Sequence, residues 1–411
     1  MTKKIKTIDL FAGCGGLSDG FEQTHLYETL ACVEWEKEPC KTLTNRLRKK
    51  WNYEFAYETI FHFDIQRTDE LINGWSYDPI YGTNKGLSLV IEKRNGTDIL
   101  IGGPPCQAYS IAGRIRDENG MNDDYRNFLF ESYLKVVHHF QPKAFIFENV
   151  PGLLSAKPGG VSIAKRITEA FEEKGYIITN DLRTNALIDC TKYGVPQNRK
   201  RVVILGVNKN IIKENPQIAL YDFYNLILPK YQTKKVSTVE DAIKNLPKLY
   251  PLKEPIKVCG RKYSHTYDAC GVANHEPRMH SKRDIETFEL LTTDIQTGQN
   301  KFATVEALKE LYFKTTGKRS NIHKYYVLKW NKPSNTIPAH LYKDGLRHIH
   351  PDPKQARSIT VREAARLQSF DDDFEFTGSL TDQYKMIGNA VPPKFAKAIA
   401  LALSDFLTKY F

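Results

Sequence analysis

Short apolar runs, each closed by glycine, proline or an acidic residue, recur through the first half of the chain. Thr7-Ile8-Asp9-Leu10-Phe11, Thr29-Leu30-Ala31-Cys32-Val33, Ile99-Leu100-Ile101, Lys143-Ala144-Phe145-Ile146-Phe147 and Val202-Val203-Ile204-Leu205-Gly206 each predict a short buried strand. Ala12-Gly13-Cys14-Gly15-Gly16-Leu17 follows the first run at once, and Ser18 is expected to cap a helix beginning near Asp19-Gly20-Phe21. Strand, glycine turn and helix make a layout in which a ligand can approach backbone N–H groups. A nicotinamide-binding turn is the obvious competitor, but Ser18 stands where the third glycine of G-x-G-x-x-G would be. Residues 66–96 are polar and punctuated by Gly74, Gly82, Gly86 and Gly96, which predicts an inserted surface loop. Pro393 to Leu403 returns to helical apolar spacing and is expected to pack back on the N-terminal sheet.

Composition narrows the class. At 411 residues the chain is too long for one small core, so two domains are expected. Its 41% hydrophobic and 26% charged residues are those of a soluble globular protein. No apolar run approaches the ~20 residues that cross a bilayer, and Asp9 breaks up what would otherwise be a basic leader. Seven scattered cysteines suit reduced thiols in a cytoplasm. The formal net charge of +11 favours a polyanionic partner such as nucleic acid.

Several residue types then suggest chemistry. In Gly102-Gly103-Pro104-Pro105-Cys106-Gln107, two glycines permit an unusual backbone path and two prolines stiffen it. A cysteine on a rigid loop at a strand's carboxyl end, where α/β enzymes hold reacting groups, is a candidate nucleophile. Glu148 ends another predicted strand, and Arg199 and Arg201, two residues apart, share a face if that segment is extended. Glu34 at the tip of the second strand is placed to accept ribose hydroxyls, with Trp35 beside it to stack on a base. Asp64 sits in a similar setting and could read an exocyclic amine. From Leu311 to Lys343 there are seven Lys or Arg and no Asp or Glu, interleaved with Tyr312, Phe313, Tyr325, Tyr326, Trp330 and Tyr342. Such a stretch suits phosphate contacts with base or sugar packing, though some of these rings must build the domain's own core. Cys259, His265, Cys270, His275 and His280 fit no standard zinc spacing, so no metal is expected.

Taken in order, these segments resemble the DNA (cytosine-5) methyltransferases of bacterial restriction-modification type. The resemblance rests on Asp9-Leu10-Phe11-Ala12-Gly13-Cys14-Gly15-Gly16, Gly103-Pro104-Pro105-Cys106-Gln107, Glu148-Asn149-Val150, Gln197-Asn198-Arg199-Lys200-Arg201, Arg362 to Phe370 and Gly388-Asn389-Ala390-Val391-Pro392-Pro393. It implies an α/β fold: a Rossmann-like mixed sheet with helices on both faces, plus a smaller target-recognition domain. The implied division is a catalytic domain over 1–209, target recognition over 210–355, and a segment over 356–411 returning to the catalytic domain. It implies S-adenosylmethionine held by Phe11, Ala12, Gly13, Cys14, Gly15, Gly16, Leu17, Glu34, Trp35, Asp64, Ile65, Pro104, Leu129, Asn389 and Ala390. Cys106 would be the nucleophile and Glu148 the group on cytosine N3; Arg201 or Arg199 would bind O2, and the base that removes the C5 proton is unassigned. Double-stranded DNA, a companion restriction endonuclease, a cytoplasmic monomer and no membrane are the further expectations. The rivals are cytosine methylation of RNA, a catalytically dead regulator, and a nicotinamide oxidoreductase, which explains neither Cys106 nor the basic aromatic stretch. Two positions depart from the family pattern: His62-Phe63 precedes Asp64 where a glycine is common, and Phe370 lacks a following proline.

Overall fold

The computed structural model describes residues 4–105, 129–157, 160–267, 271–343 and 345–411. Ten strands occur among the described residues of the first part of the chain: β1 (Ile5–Leu10), β2 (Tyr27–Glu34), β3 (Ile60–His62), β4 (Trp75–Asp78), β5 (Gly82–Asn84), β6 (Ile99–Gly102), β7 (Ala144–Asn149), β8 (Tyr176–Ile178), β9 (Leu187–Asp189) and β10 (Lys200–Asn208). Eight of them form one sheet in the order β3-β2-β1-β6-β7-β10-β8, with β9 also paired to β10. The pairings from β3 through β7 are parallel, whereas β10 runs antiparallel to β7, β8 and β9. The continuous apolar runs follow from burial on both faces. Ile99, Leu100, Phe145, Phe147 and Val202 to Leu205 are all fully buried.

The chain divides into two compact units. The first holds residues up to Gly194, Arg199–Lys235 and Ala390–Phe411; the second holds Val195–Asn198 and Val236–Asn389. The chain therefore changes unit at 194/195, 198/199, 235/236 and 389/390.

Within the first unit the helix Pro393–Tyr410 packs on the helix Gly16–Glu22. Gly20 makes that approach feasible, because a Cβ there would sit 2.4 Å from the Cβ of Ala396. Tyr27 at the start of β2 donates its hydroxyl to the Ala400 carbonyl at 2.6 Å, tying the last helix to the sheet.

Two local expectations are corrected. Ser18 does not cap a helix: it lies inside Gly16–Glu22, Gly15 is the cap residue at φ 90°, and the Ser18 hydroxyl donates to the buried Asp9 carboxylate. The segment 66–96 is more than a loop. It contains the helix Thr68–Asn73, the β4–β5 hairpin and the helix Gly86–Lys93. Stacking of Phe63 on Trp75, 3.8 Å between centroids, supplies the local core that polar composition hid.

The second unit has its own core of Phe288, Leu291, Leu311, Tyr325, Val327, Ile349 and Ala356, with Tyr312 packed against it. Part of the aromatic set of the basic stretch is thus structural. Its helices Lys282–Gln296 and Val305–Thr316 precede a buried ion pair in which Arg357 donates two bonds, at 2.6 and 2.7 Å, to Glu363. An antiparallel ribbon, β11 (Pro251–Val258) and β12 (Arg261–His265), forms a separate two-stranded sheet.

Candidate active site

The parallel half of the sheet delivers its carboxyl ends side by side. Glu34 is in register with His62, Leu10 with both Val33 and Gly102, and Gly102 with Phe147. The loops after β3, β2, β1, β6 and β7 therefore open along one edge, the usual ligand crevice of such sheets.

After β1 the backbone turns sharply, with Phe11 at φ 60°, Gly13 at φ 55° and Gly15 at φ 90°. Left-handed geometry is ordinary for glycine and strained for an aromatic residue, and such strain concentrates at functional sites. Ala12 and Cys14 are buried within this turn, Gly16 and Leu17 are buried at the start of the following helix, and Phe11 is half-buried. The Ala12 amide donates to the Val33 carbonyl at 3.0 Å, fixing the turn to β2.

Glu34 stands at the end of β2 and is 8% exposed. Its carboxylate accepts from the Gly13 amide at 2.9 Å and from the Glu36 amide at 2.8 Å. Burial pushes its pKa up to about 7, against the two amides that favour the charged form. Asp9, fully buried one strand away, is pushed up to about 7 by the same cause. Trp35 next to Glu34 is 52% exposed. Asp64 is half-buried and accepts from the Gln66 amide at 3.0 Å, with Ile65 buried behind it. Acceptors for a ribose diol and an exocyclic amine, with exposed and half-buried aromatic faces, fit the adenosyl part of S-adenosylmethionine. Pro104 and Leu129 are also buried in this unit, and Leu129 opens the helix Leu129–Phe140. Ala390 begins the first unit's final segment, whereas Asn389 is exposed and ends the helix Leu380–Asn389 of the second.

Across the sheet, β7 and β10 bring the second group together. Glu148 pairs in register with Val203, so Arg201 lies two positions along on the same face. The Arg201 Nε stands 2.7 Å from Glu148 Oε1, with both side chains 11% exposed. Burial raises the Glu148 pKa and outweighs the opposing charges of Arg201 and Arg199. A raised carboxyl pKa favours the protonated form that a proton-sharing role draws on. Arg199 is fully buried, donates to the Ala390 carbonyl at 3.0 Å, and has its pKa lowered to about 9 by burial and by Arg201. It is an interior group and not a surface charge. Nor does Glu148 cap the 3-10 helix Pro151–Ser155, whose cap residue is Val150.

The loop after β6 is shaped to this group. A Cβ on Gly103 would lie 2.8 Å from Glu148 Oε2, so glycine lets the loop pass directly over the carboxylate. Asn149 Nδ2 donates to the Pro104 carbonyl at 3.2 Å, and its Oδ1 accepts from the Val150 amide at 2.8 Å. Asn149 is thus the positioning contact to which sequence reasoning gave no role; its only signal was an amide side chain at the strand end beside Glu148. Cys106, Gln107 and Cys270 lie outside the described residues.

The Gln197-Asn198-Arg199-Lys200-Arg201 run serves both units. Gln197, fully buried in the second, accepts from the Ile337 amide at 3.0 Å and donates to the Leu367 carbonyl at 3.3 Å. The histidines of the zinc pattern are engaged elsewhere. His265 Nε2 faces the Gln355 carbonyl at 2.9 Å, His275 faces Thr360 and the Pro247 carbonyl, and His280 faces Ser358. Cys259 is exposed at the ribbon's turn.

This edge carries a carboxylate–aromatic crevice at one end and a buried Glu–Arg pair under a Gly-Pro-Pro loop at the other. The family model for C-5 cytosine-specific DNA methylase matches residues 5–405, and the chain belongs to that family. It is 33% identical to the type II methyltransferase M.Bpa9945I of Bacillus paralicheniformis, covering 97% of this chain and 98% of that protein. It is 30% identical to the type II methyltransferase M1.HphI of Haemophilus parahaemolyticus, covering 96% and 86%. The fold is similar to that of a DNA modification methyltransferase encoded within an E. coli prophage, with a TM-score of 0.63, 22% identity, and 98% and 100% coverage. It also resembles the Dnmt2 methyltransferase of S. pombe, with a TM-score of 0.52, 14% identity, and 99% of each chain covered.

Proposed function

We propose that this enzyme methylates C5 of a cytosine flipped out of a specific double-stranded DNA sequence, through a covalent adduct with Cys106. The observation that carries the reading is the buried Glu148–Arg201 pair lying against Gly103, three residues before that cysteine. C5 of cytosine is a poor nucleophile while the ring is aromatic. A thiolate of Cys106 adds to C6, and C5 becomes an enamine-like carbon. Glu148 delivers a proton to N3 as charge develops, and Arg201 or Arg199 holds the O2 oxygen and orients the carboxyl group. S-adenosylmethionine, when bound, supplies the activated methyl group that C5 attacks. A base, with water as the simplest candidate, then takes the C5 proton; the C6–sulfur bond breaks, the thiolate leaves, and N3 returns its proton.

Phe11, the Gly13–Gly16 turn, Leu17, Glu34, Trp35, Asp64, Ile65, Pro104, Leu129, Asn389 and Ala390 hold the cofactor. Glu34 takes the ribose hydroxyls, and Asp64 takes the adenine amine. The target atom is inaccessible in a stacked duplex, which is why the base must leave the helix. The second unit reads the DNA sequence, and the net charge of +11 suits the phosphate backbone. Protection of host DNA beside a restriction endonuclease, by a cytoplasmic monomer, completes the proposal.

Incubating the purified protein with S-adenosylmethionine and unmethylated genomic DNA, then analysing nucleosides by mass spectrometry, tests it. The expected product is 5-methyl-2′-deoxycytidine, absent with Cys106→Ala. Methyl groups on another cytosine atom, or on RNA alone, would refute the proposal.

A further inference from the structure

The inserted segment 66–96 packs against the end of β3, beside the adenine side of the crevice. Phe63, fully buried, stacks on Trp75, and the Trp75 indole N–H donates to the Tyr81 carbonyl at 3.2 Å. Arg67 fixes the hairpin from outside. It pairs with Asp78 at 2.6 Å and with Glu70, and its guanidinium lies 4.8 Å from the Phe63 ring centre. Asp78 in turn accepts from the Ile80 and Tyr81 amides at 2.9 Å each. The hairpin's outer residues Tyr77 and Ile80 are 95% and 70% exposed, but Tyr81 turns inward.

There the Tyr81 ring meets His62 edge to face, 5.2 Å between centroids at 78°, and Phe63 at 5.0 Å. His62 Nε2 lies 3.1 Å from the carbonyl oxygen of Trp35, which accepts, so this nitrogen carries the proton. One ring thus touches the residue that holds the Trp35 backbone.

We propose that Tyr81, acting through His62, is a positioning residue that sets Trp35 for the adenine of S-adenosylmethionine. The inserted hairpin is then part of the cofactor-binding wall. This rests on the reading of Trp35 as an adenine contact. The departure at His62-Phe63, where the family favours a glycine before the Asp, acquires a reason: Phe63 anchors the hairpin, and the imidazole beside it holds the Trp35 backbone.

The test is calorimetric titration of the full chain with S-adenosylhomocysteine, together with steady-state kinetics. Tyr81→Ala is expected to weaken binding and raise KM for S-adenosylmethionine about tenfold, as for removal of one aromatic neighbour. Its kcat and duplex affinity stay unchanged. Tyr81→Phe keeps the ring and retains most of the binding. His62→Phe keeps the ring contact but not the bond to Trp35, and weakens binding to an intermediate degree. Tyr81→Leu serves if the alanine variant does not fold. Unchanged binding in Tyr81→Ala, or an equal loss of kcat and duplex affinity, overturns the inference. Trp35→Ala separates the two levels. If it weakens binding while Tyr81→Ala does not, only the Tyr81 link fails; if it too leaves binding unchanged, the adenine reading fails with it.

Discussion

Replacing Gly103 by alanine probes the reacting edge without removing any proposed catalytic group. The added methyl would sit 2.8 Å from Glu148 Oε2, whereas ordinary contact begins near 3.4 Å, so about 0.6 Å must be found. Glu148 cannot simply swing away, because Arg201 holds its other oxygen at 2.7 Å. Nor can the loop lift freely, since Asn149 ties the Pro104 carbonyl. Overpacking of this kind costs about 1–3 kcal/mol. Misplacement of a reacting group by about 1 Å costs on the order of a hundredfold in rate, so 0.6 Å shared between loop and carboxylate predicts a fall in kcat of roughly 10- to 100-fold. The assay is tritiated methyl incorporation at saturating DNA and cofactor. S-adenosylhomocysteine binding, measured in parallel, separates a loss at the reacting carboxylate from a loss of cofactor at the neighbouring Pro104. A folded Gly103→Ala enzyme with kcat within twofold of the parent would refute the argument that the loop and Glu148 share one fixed geometry.

Three further outcomes follow from the same reasoning. If Glu34, raised to about 7 by burial, takes the ribose hydroxyls as the anion as proposed, S-adenosylhomocysteine affinity should fall about tenfold per pH unit below 7; Glu34→Gln should bind weakly with a flat profile. His265 and His348 are lowered to about 4, and His280 and His350 to about 3, all by burial. Below pH 6.5 the unfolded chain takes up protons that these folded rings refuse, so stability falls with pH, approaching about 1.4 kcal/mol per histidine per unit. These four rings therefore pull urea midpoints down between pH 7.5 and 5.5, against Asp9 and Glu34, which are raised to about 7 and take up protons in the folded state over the same range; four rings against these two carboxyls leave a net fall, and Glu363, held ionised by Arg357 against its own burial, adds nothing there. On the ribbon, exposed Lys257 and Lys262 lie directly opposite each other on one face. Alanine at both should weaken duplex binding and reduce the salt slope by about 1 for each phosphate no longer neutralised, and an unchanged slope would remove the ribbon from the interface.

The sheet was legible because its strands are buried on both faces and therefore write themselves as unbroken apolar runs. Glu148 and Arg201 were legible as a pair of strand ends, though only the antiparallel register of β7 and β10 shows that they touch. What sequence spacing hid was tertiary. Ser18 looked like a helix cap because its rival partner, Asp9, is nine positions back on a buried strand. The hairpin at 75–84 read as a loop because its stability comes from Phe63 and Arg67 outside it. Arg199 read as one of two equivalent arginines, yet it is fully buried and bonded to a carbonyl 191 positions away.

The central claim is most directly tested in cells, by conversion-based sequencing of 5-methylcytosine in DNA from a host expressing the chain or its Cys106→Ala variant. The account predicts methylation confined to one short sequence and abolished in the variant. Methylated DNA cytosine persisting in Cys106→Ala, or none with the parent chain, would contradict it.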